Sequence, residues 1–273
     1  MPNKLSILTA VARTGYVAKG FVYFLVGLLS LQAAIGLGGD APSATQALEQ
    51  IIYRPFGSVL LIGIIIGLVA YSAWRILQAI FDPEDRGKDV DVWFFRLIDF
   101  LTGCIYLSMS YAAWQILQGL HATSSDENTE VWVGRILELP FGKWLVIFCA
   151  IVILIAGLYQ FYAASIASFD YSFDADRMTD FEKNWLRWLG RIGFFAWGIV
   201  YCMVAIMFYR AAITFDAEQA GGLSEALHSL REQPFGIWIL AITAVGLIIY
   251  GVYLLVLSYY HKVYEPNFSN EST

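Results

Sequence analysis

Residues 55–80 read PFGSVLLIGIIIGLVAYSAWRILQAI, an apolar run led by Pro-Phe-Gly that carries a single charge, Arg75. About 20 helical residues cross the hydrocarbon core of a bilayer, and this run is long enough to do so. It does not alternate apolar and polar residues as the strands of a membrane barrel would. Inside lipid every backbone amide needs a partner within its own segment or a closed neighbour, so a run like this is a helix.

Five more runs flank it. With the first trimmed to 57–80, the set is 16–35, 57–80, 97–117, 144–167, 192–209 and 235–260, which predicts six transmembrane helices. The composition agrees: 58% of residues are hydrophobic and 15% charged, against roughly 45–50% and 25% in soluble domains. A cleaved signal peptide is set aside, because Lys19 interrupts the first run and the segment recurs later in the chain. The three cysteines, Cys104, Cys149 and Cys202, lie inside runs without a Cys-x-x-Cys pair and read as small buried hydrophobes.

Pro-Phe-Gly recurs at Pro140-Phe141-Gly142 and Pro234-Phe235-Gly236, each time heading an even-numbered run. Proline is tolerated in the first turn of a helix, where its missing N–H has no acceptor to lose, so the motif marks a helix start. The odd-numbered runs carry a second signature: Arg13/Gly20/Tyr23, Arg96/Gly103/Tyr106 and Arg191/Gly198/Tyr201. At about 100° per residue these spacings share one helix face. From Arg to the next Pro the separations are 42, 44 and 43, by subtraction of the residue numbers. An aromatic also follows each Pro by nineteen residues, at Trp74, Tyr159 and Tyr253.

The chain is therefore read as one all-α membrane domain, residues 1–273, of three tandem two-helix units over 10–82, 93–168 and 188–262, with a frayed tail over 263–273. Units of two spans enter the membrane in the same sense, which predicts a pseudo-threefold bundle. Gly20, Gly103 and Gly198 are expected at close helix approaches, as is Gly63-x-x-x-Gly67. Before each Pro, Leu48/Ile51, Val133/Ile136 and Leu227/Leu230 predict short amphipathic helices on the membrane surface that seal the bundle.

Lys and Arg number twelve on the side of the termini and five on the other, placing both termini in the cytoplasm. The segment from Asp82 to Asp89 reads as a solvated turn. Thr179-x-x-Glu182 reads as a capping box, with Phe181, Trp185, Trp188 and Leu189 on one side of the helix that follows. A net charge of −6 speaks against nucleic-acid binding.

Charges near the spans are few. Lys19 is expected to snorkel to the membrane edge. Asp99 has a local partner in Arg96 three residues earlier, and an inter-unit contact between Lys19 and Asp99 is the sharper alternative. Gln32, Gln115, Gln118 and Gln160 are expected to bond between helices. The tyrosines and tryptophans read as interface belts and packing. No catalytic, cofactor or metal site is assigned. The spans contain no histidine for a haem, and His121 and His228, with Asp126 and Glu127 nearby, lack paired ligand spacing.

The stretch Ala12-Arg13-Thr14-Gly15-Tyr16-Val17-Ala18-Lys19-Gly20-Phe21-Val22-Tyr23, with Ala220-Gly221-Gly222-Leu223-Ser224-Glu225-Ala226-Leu227 before the third Pro-Phe-Gly, resembles the bacterial membrane proteins called domain of unknown function 1206. The resemblance covers about residues 10 to 262. It implies six helices in three repeats and a bacterial inner membrane, and carries no activity. Asp99 and Thr102 stand where the first unit has Tyr16 and Lys19, so the lysine position is not repeated within the chain.

The resulting expectation is a non-enzymatic structural, lipid-associated or scaffolding protein, partnered by membrane lipids and other membrane proteins. A small-solute channel or transporter is the alternative. An intramembrane enzyme ranks third.

Overall fold

The computed structural model describes residues 4–37, 39–81, 90–120, 122, 125–167 and 178–260. The linker 82–89, the side chains of Arg177 and Lys262, His121, His261 and the tail 263–273 lie outside them. The chain is helical throughout the described residues: α1 (Lys4–Ala34), α2 (Ala44–Ile52), α3 (Gly57–Phe81), α4 (Val90–Leu117), α5 (Ser125–Leu137), α6 (Gly142–Ile166), α7 (Asp180–Thr214), α8 (Leu223–Glu232) and α9 (Gly236–Tyr260). A 3₁₀ turn, Ala217–Gln219, precedes α8.

Among the described residues five helices, α1, α3, α6, α7 and α9, are long and apolar enough to cross a membrane. α4 has the length, with 28 residues, but Asp99, Thr102, Ser108 and Ser110 interrupt its apolar run. α7, with 35 residues, measures ~50 Å at 1.5 Å per residue, well beyond a ~30 Å hydrocarbon core. Its first turns carry the expected capping box, with Thr179 and Glu182 each bonding the other's backbone N–H. Phe181, Trp185 and Trp188 there point outward and Leu186 inward.

The Pro-Phe-Gly turn works differently from expectation. The helices begin at Gly57, Gly142 and Gly236, and the prolines lie two residues earlier, in the turn. A Cβ on any of these glycines would collide with the carbonyl oxygen of Ile51, Ile136 or Arg231, respectively. The chain folds back so tightly from short helix to long helix that only glycine fits. Phe56 and Phe235 take positive φ, 62° and 61°, whereas Phe141 has φ −114°.

The short helices seal one end of the bundle as expected. Leu48, Ile51, Val133, Leu227 and Leu230 are buried. Ser224 Oγ donates to Ala41 O at 2.8 Å, tying the third unit to the first.

Packing follows a regular order. α3 packs on α4, α6 on α7, and α9 on α1, so the second helix of each unit meets the first helix of the next. Within units, α1 packs on α3 and α7 on α9, but α4 and α6 scarcely touch. The main core draws on α1, α3, α4, α7 and α9 with the short helices α2 and α8. α6 supplies Val146 to a smaller cluster with Val133, Ala211, Ala212 and Ala220.

Candidate functional site: a lysine among tyrosines

Lys19 does not snorkel. Its Nζ points into the bundle, lying 4.9, 5.3, 5.8 and 5.9 Å from the ring centres of Tyr71, Tyr106, Tyr250 and Tyr23. Those rings come from α3, α4, α9 and α1. An ammonium over aromatic faces is held by the ring quadrupole, an attraction that strengthens where water is excluded.

Lys19 Nζ donates to Tyr71 Oη at 3.0 Å, and Arg75 Nε donates to the same oxygen at 2.9 Å. Tyr71 and Arg75 stand one turn apart on α3, so one helix presents both to α1 and α4. Arg75 Nη1 then donates to Asp99 Oδ1 at 2.7 Å across the α3/α4 seam, and to Gln78 Oε1 at 3.2 Å. The Tyr23 and Tyr106 hydroxyls bond to one another at 2.9 Å. The expected Lys19–Asp99 contact is thus relayed through Tyr71 and Arg75. Arg75, read from the sequence as a flanking charge, is the partner that reasoning missed.

Arg96 has a different job from the one expected. Its Nε donates to Ala79 O at 2.8 Å and its Nη2 to Ile80 O at 2.6 Å, capping the last turn of α3. A guanidinium suits such a place, because the final carbonyls of a helix lack intrahelical partners and carry the negative end of its dipole.

The tyrosines are not belts here. Tyr71 meets Tyr106 edge to face at 4.6 Å, and Tyr23 meets Tyr250 at 5.6 Å and Trp197 at 5.0 Å. The repeat tyrosines Tyr23 and Tyr106 were a usable signal, since they share a face with the seam glycines. Tyr71 and Tyr250 each stand sixteen residues after their Pro, where the second unit has Ala156.

Each repeat glycine lies at a seam with the preceding unit. A Cβ on Gly20 would sit 2.8 Å from Gly251 O, one on Gly103 3.2 Å from Ser72 O, and one on Gly198 2.6 Å from the Phe161 ring. Gly67 packs on Ala18, while Gly63 faces open space, so only half of that expected pair is a close approach. Gln32 and Gln118 are exposed, not bonded between helices. Cys104 is exposed, and Cys149 and Cys202 are half-buried, against the expectation of three buried thiols.

Asp126, at the sealed end, is buried, and its Oδ1 accepts the Gly222 N–H at 2.6 Å, tying α5 to the start of α8. Burial pushes its carboxyl up to about 6, with Glu225 adding to the effect and the Gly222 N–H opposing it. An open groove of about 660 Å³ on α3 and α4 is lined by Ile65, Cys104, Leu107, Tyr111 and Trp114. None of those residues belongs to the Lys19–Tyr71–Arg75–Asp99 chain, so the groove and the polar cluster are separate.

Several long apolar helices, in a chain built of tandem repeats, suggest a multi-pass helical membrane protein. The chain belongs to the family described as Domain of Unknown Function (DUF1206), which matches it three times, over residues 14–82, 100–167 and 192–261. It is 32% identical over 254 residues to the uncharacterized protein YxxB of Bacillus subtilis (strain 168), covering 93% of this chain and 91% of that protein. No solved structure matches.

Proposed function

We propose that the chain is a six-span protein of the bacterial inner membrane, with both termini cytoplasmic and three hairpins about a pseudo-threefold axis, acting without catalysis as a lipid-associated or partner-scaffolding element. α4 is the sixth span in this reading. Its exposed apolar residues, with Asp99 and Ser110 bonded to α3, fit a helix that spans beside neighbours. The repeated order of packing, second helix on next first helix, supports the axis. Twelve basic residues against five support the orientation.

The observation that carries a structural role is the packed interior: tyrosine rings and the Lys19–Tyr71–Arg75–Asp99 chain fill the place where a pathway would run. Purified protein in liposomes is expected to add no flux of potassium, chloride or small neutral solutes above protein-free vesicles. Flux that Lys19→Met or Asp99→Asn changes would overturn this reading. It would favour the channel or transporter alternative, to which the charged chain reaching into the bundle lends its support.

A further inference from the structure

We propose that the gap between α4 and α6 is a lipid site, in which an acyl chain enters from the bilayer between the two helices of the second hairpin and lies along Leu101, Val152 and Ala156. The inference rests on the reading of the protein as lipid-associated and names where the lipid goes.

The closed hairpins show what the second one lacks. In the first, Gly15 packs on Tyr71 and Ala18 on Gly67; in the third, Gly193 packs on Tyr250 and Ala196 on Gly246. Counted from the unit's own Arg and Pro, the four partners are the same in both: second and fifth after Arg, sixteenth and twelfth after Pro. At those positions the second hairpin has Ile98, Leu101, Ala156 and Val152. Small residues that let two backbones meet are replaced by branched ones, and the ring that fills the interior is replaced by a methyl. Ile98, Leu101 and Val152 are exposed accordingly. The aromatic nineteen residues after Pro reports the same opening: Trp74 and Tyr253 are 1% and 2% exposed, Tyr159 51%.

The same residues say what fills the gap. A transmembrane helix, from this chain or a partner, packs closely through small residues, and Ile98, Leu101 and Val152 offer none. Water needs polar groups to bond, and the Thr102 hydroxyl is already turned onto Ile98 O of its own helix at 2.7 Å. A flexible hydrocarbon chain conforms to a branched, irregular wall and asks for no hydrogen bond.

The test places a single cysteine at Ala156 or, for comparison, at Tyr250, in protein lacking Cys104, Cys149 and Cys202, labels it with bimane and reconstitutes it in liposomes. Phosphatidylcholine brominated on its acyl chains is expected to quench the label at 156 at least twice as strongly as at 250. Transplanting the closed seam with Ile98→Gly, Leu101→Ala and Val152→Gly is expected to bring 156 down to the level of 250. Equal quenching at 156 and 250 in the parent protein overturns the proposal without need of the transplant. So does quenching at 156 by aqueous iodide in place of the brominated lipid, or loss of lipid quenching with cross-linking between copies. None of these outcomes bears on solute flux, which tests the non-conducting role separately.

Discussion

The first and third hairpins share their repeat signatures with the second, yet only the second stands open. In the closed pair, glycine and alanine on the first helix meet a tyrosine and a glycine on the second. In the open one, the Arg-Gly-Tyr and Pro-Phe-Gly motifs survive while the small residues between helices are gone. The motifs and the hairpin contact therefore serve different ends. Arg-Gly-Tyr builds the seams between units, and Pro-Phe-Gly builds the tight turn into each second helix. A second set, with no conspicuous motif, decides whether a unit closes on itself.

The largest expected effect comes from opening a closed hairpin. A Cβ on Gly246 would overlap Ala196, so Gly246→Leu is expected to abolish monodisperse, folded protein in detergent. Val152→Leu, at the matching place in the open hairpin, should leave size-exclusion and melting profiles unchanged. Equal tolerance of both would show that the two hairpins pack alike.

Next is Asp99→Asn, which leaves the Arg75 charge inside the bundle without its carboxylate. Breaking a buried pair by removing one member costs roughly 3–5 kcal/mol, and replacing both members by apolar residues recovers much of it. Thermal unfolding of Asp99→Asn, Arg75→Leu and the Arg75→Leu/Asp99→Leu double variant should show the double variant more stable than Asp99→Asn alone. Simple additivity of the two single losses would argue that the ion pair does not couple α3 to α4.

Truncating equivalent aromatics sharpens the contrast. Tyr253→Ala empties a packed position, and cavities of that kind cost about 3–5 kcal/mol. Tyr159→Ala, half exposed, should change stability by less than about 0.5 kcal/mol. Similar losses at the two sites, measured by thermal unfolding in one detergent, would contradict the open second hairpin.

The smallest effect is a pH dependence at the sealed end. The Asp126 carboxyl titrates near 6 in the fold, above its ordinary 3.8, so the fold favours its protonated form. That contribution is complete below about pH 4 and is lost as pH rises through about 6, amounting to at most ~3 kcal/mol at 1.36 kcal/mol per pH unit. The melting temperature of wild type relative to Asp126→Asn should fall across this window. A rise there would show a carboxylate stabilised by the Gly222 N–H, with burial the lesser influence.

The all-helical class, the threefold repetition and the close approaches at Gly20, Gly103 and Gly198 were legible because length, apolarity and repetition are properties of the chain read along itself. Arg75 was not. It lies near the end of a span and looks like any flanking charge until α4 is placed beside α3 with Asp99 facing it. Lys19 was misread for a similar reason: snorkelling is the default for a lone shallow lysine, and what cancels it is four rings contributed by four different helices. The open hairpin was written in the sequence at Ile98, Leu101, Val152 and Ala156. Their meaning emerges only once Gly15, Ala18, Gly67 and Tyr71 are known to be the contacts they replace.

The most direct test of unequal hairpins is disulfide formation in native membranes, with Cys104, Cys149 and Cys202 removed. A cysteine pair at Ala196 and Gly246 is expected to oxidise readily, since a disulfide needs Cα atoms within about 7 Å, and the matching pair at Leu101 and Val152 to stay reduced. Ready oxidation of the Leu101/Val152 pair, or none at Ala196/Gly246, would contradict the account.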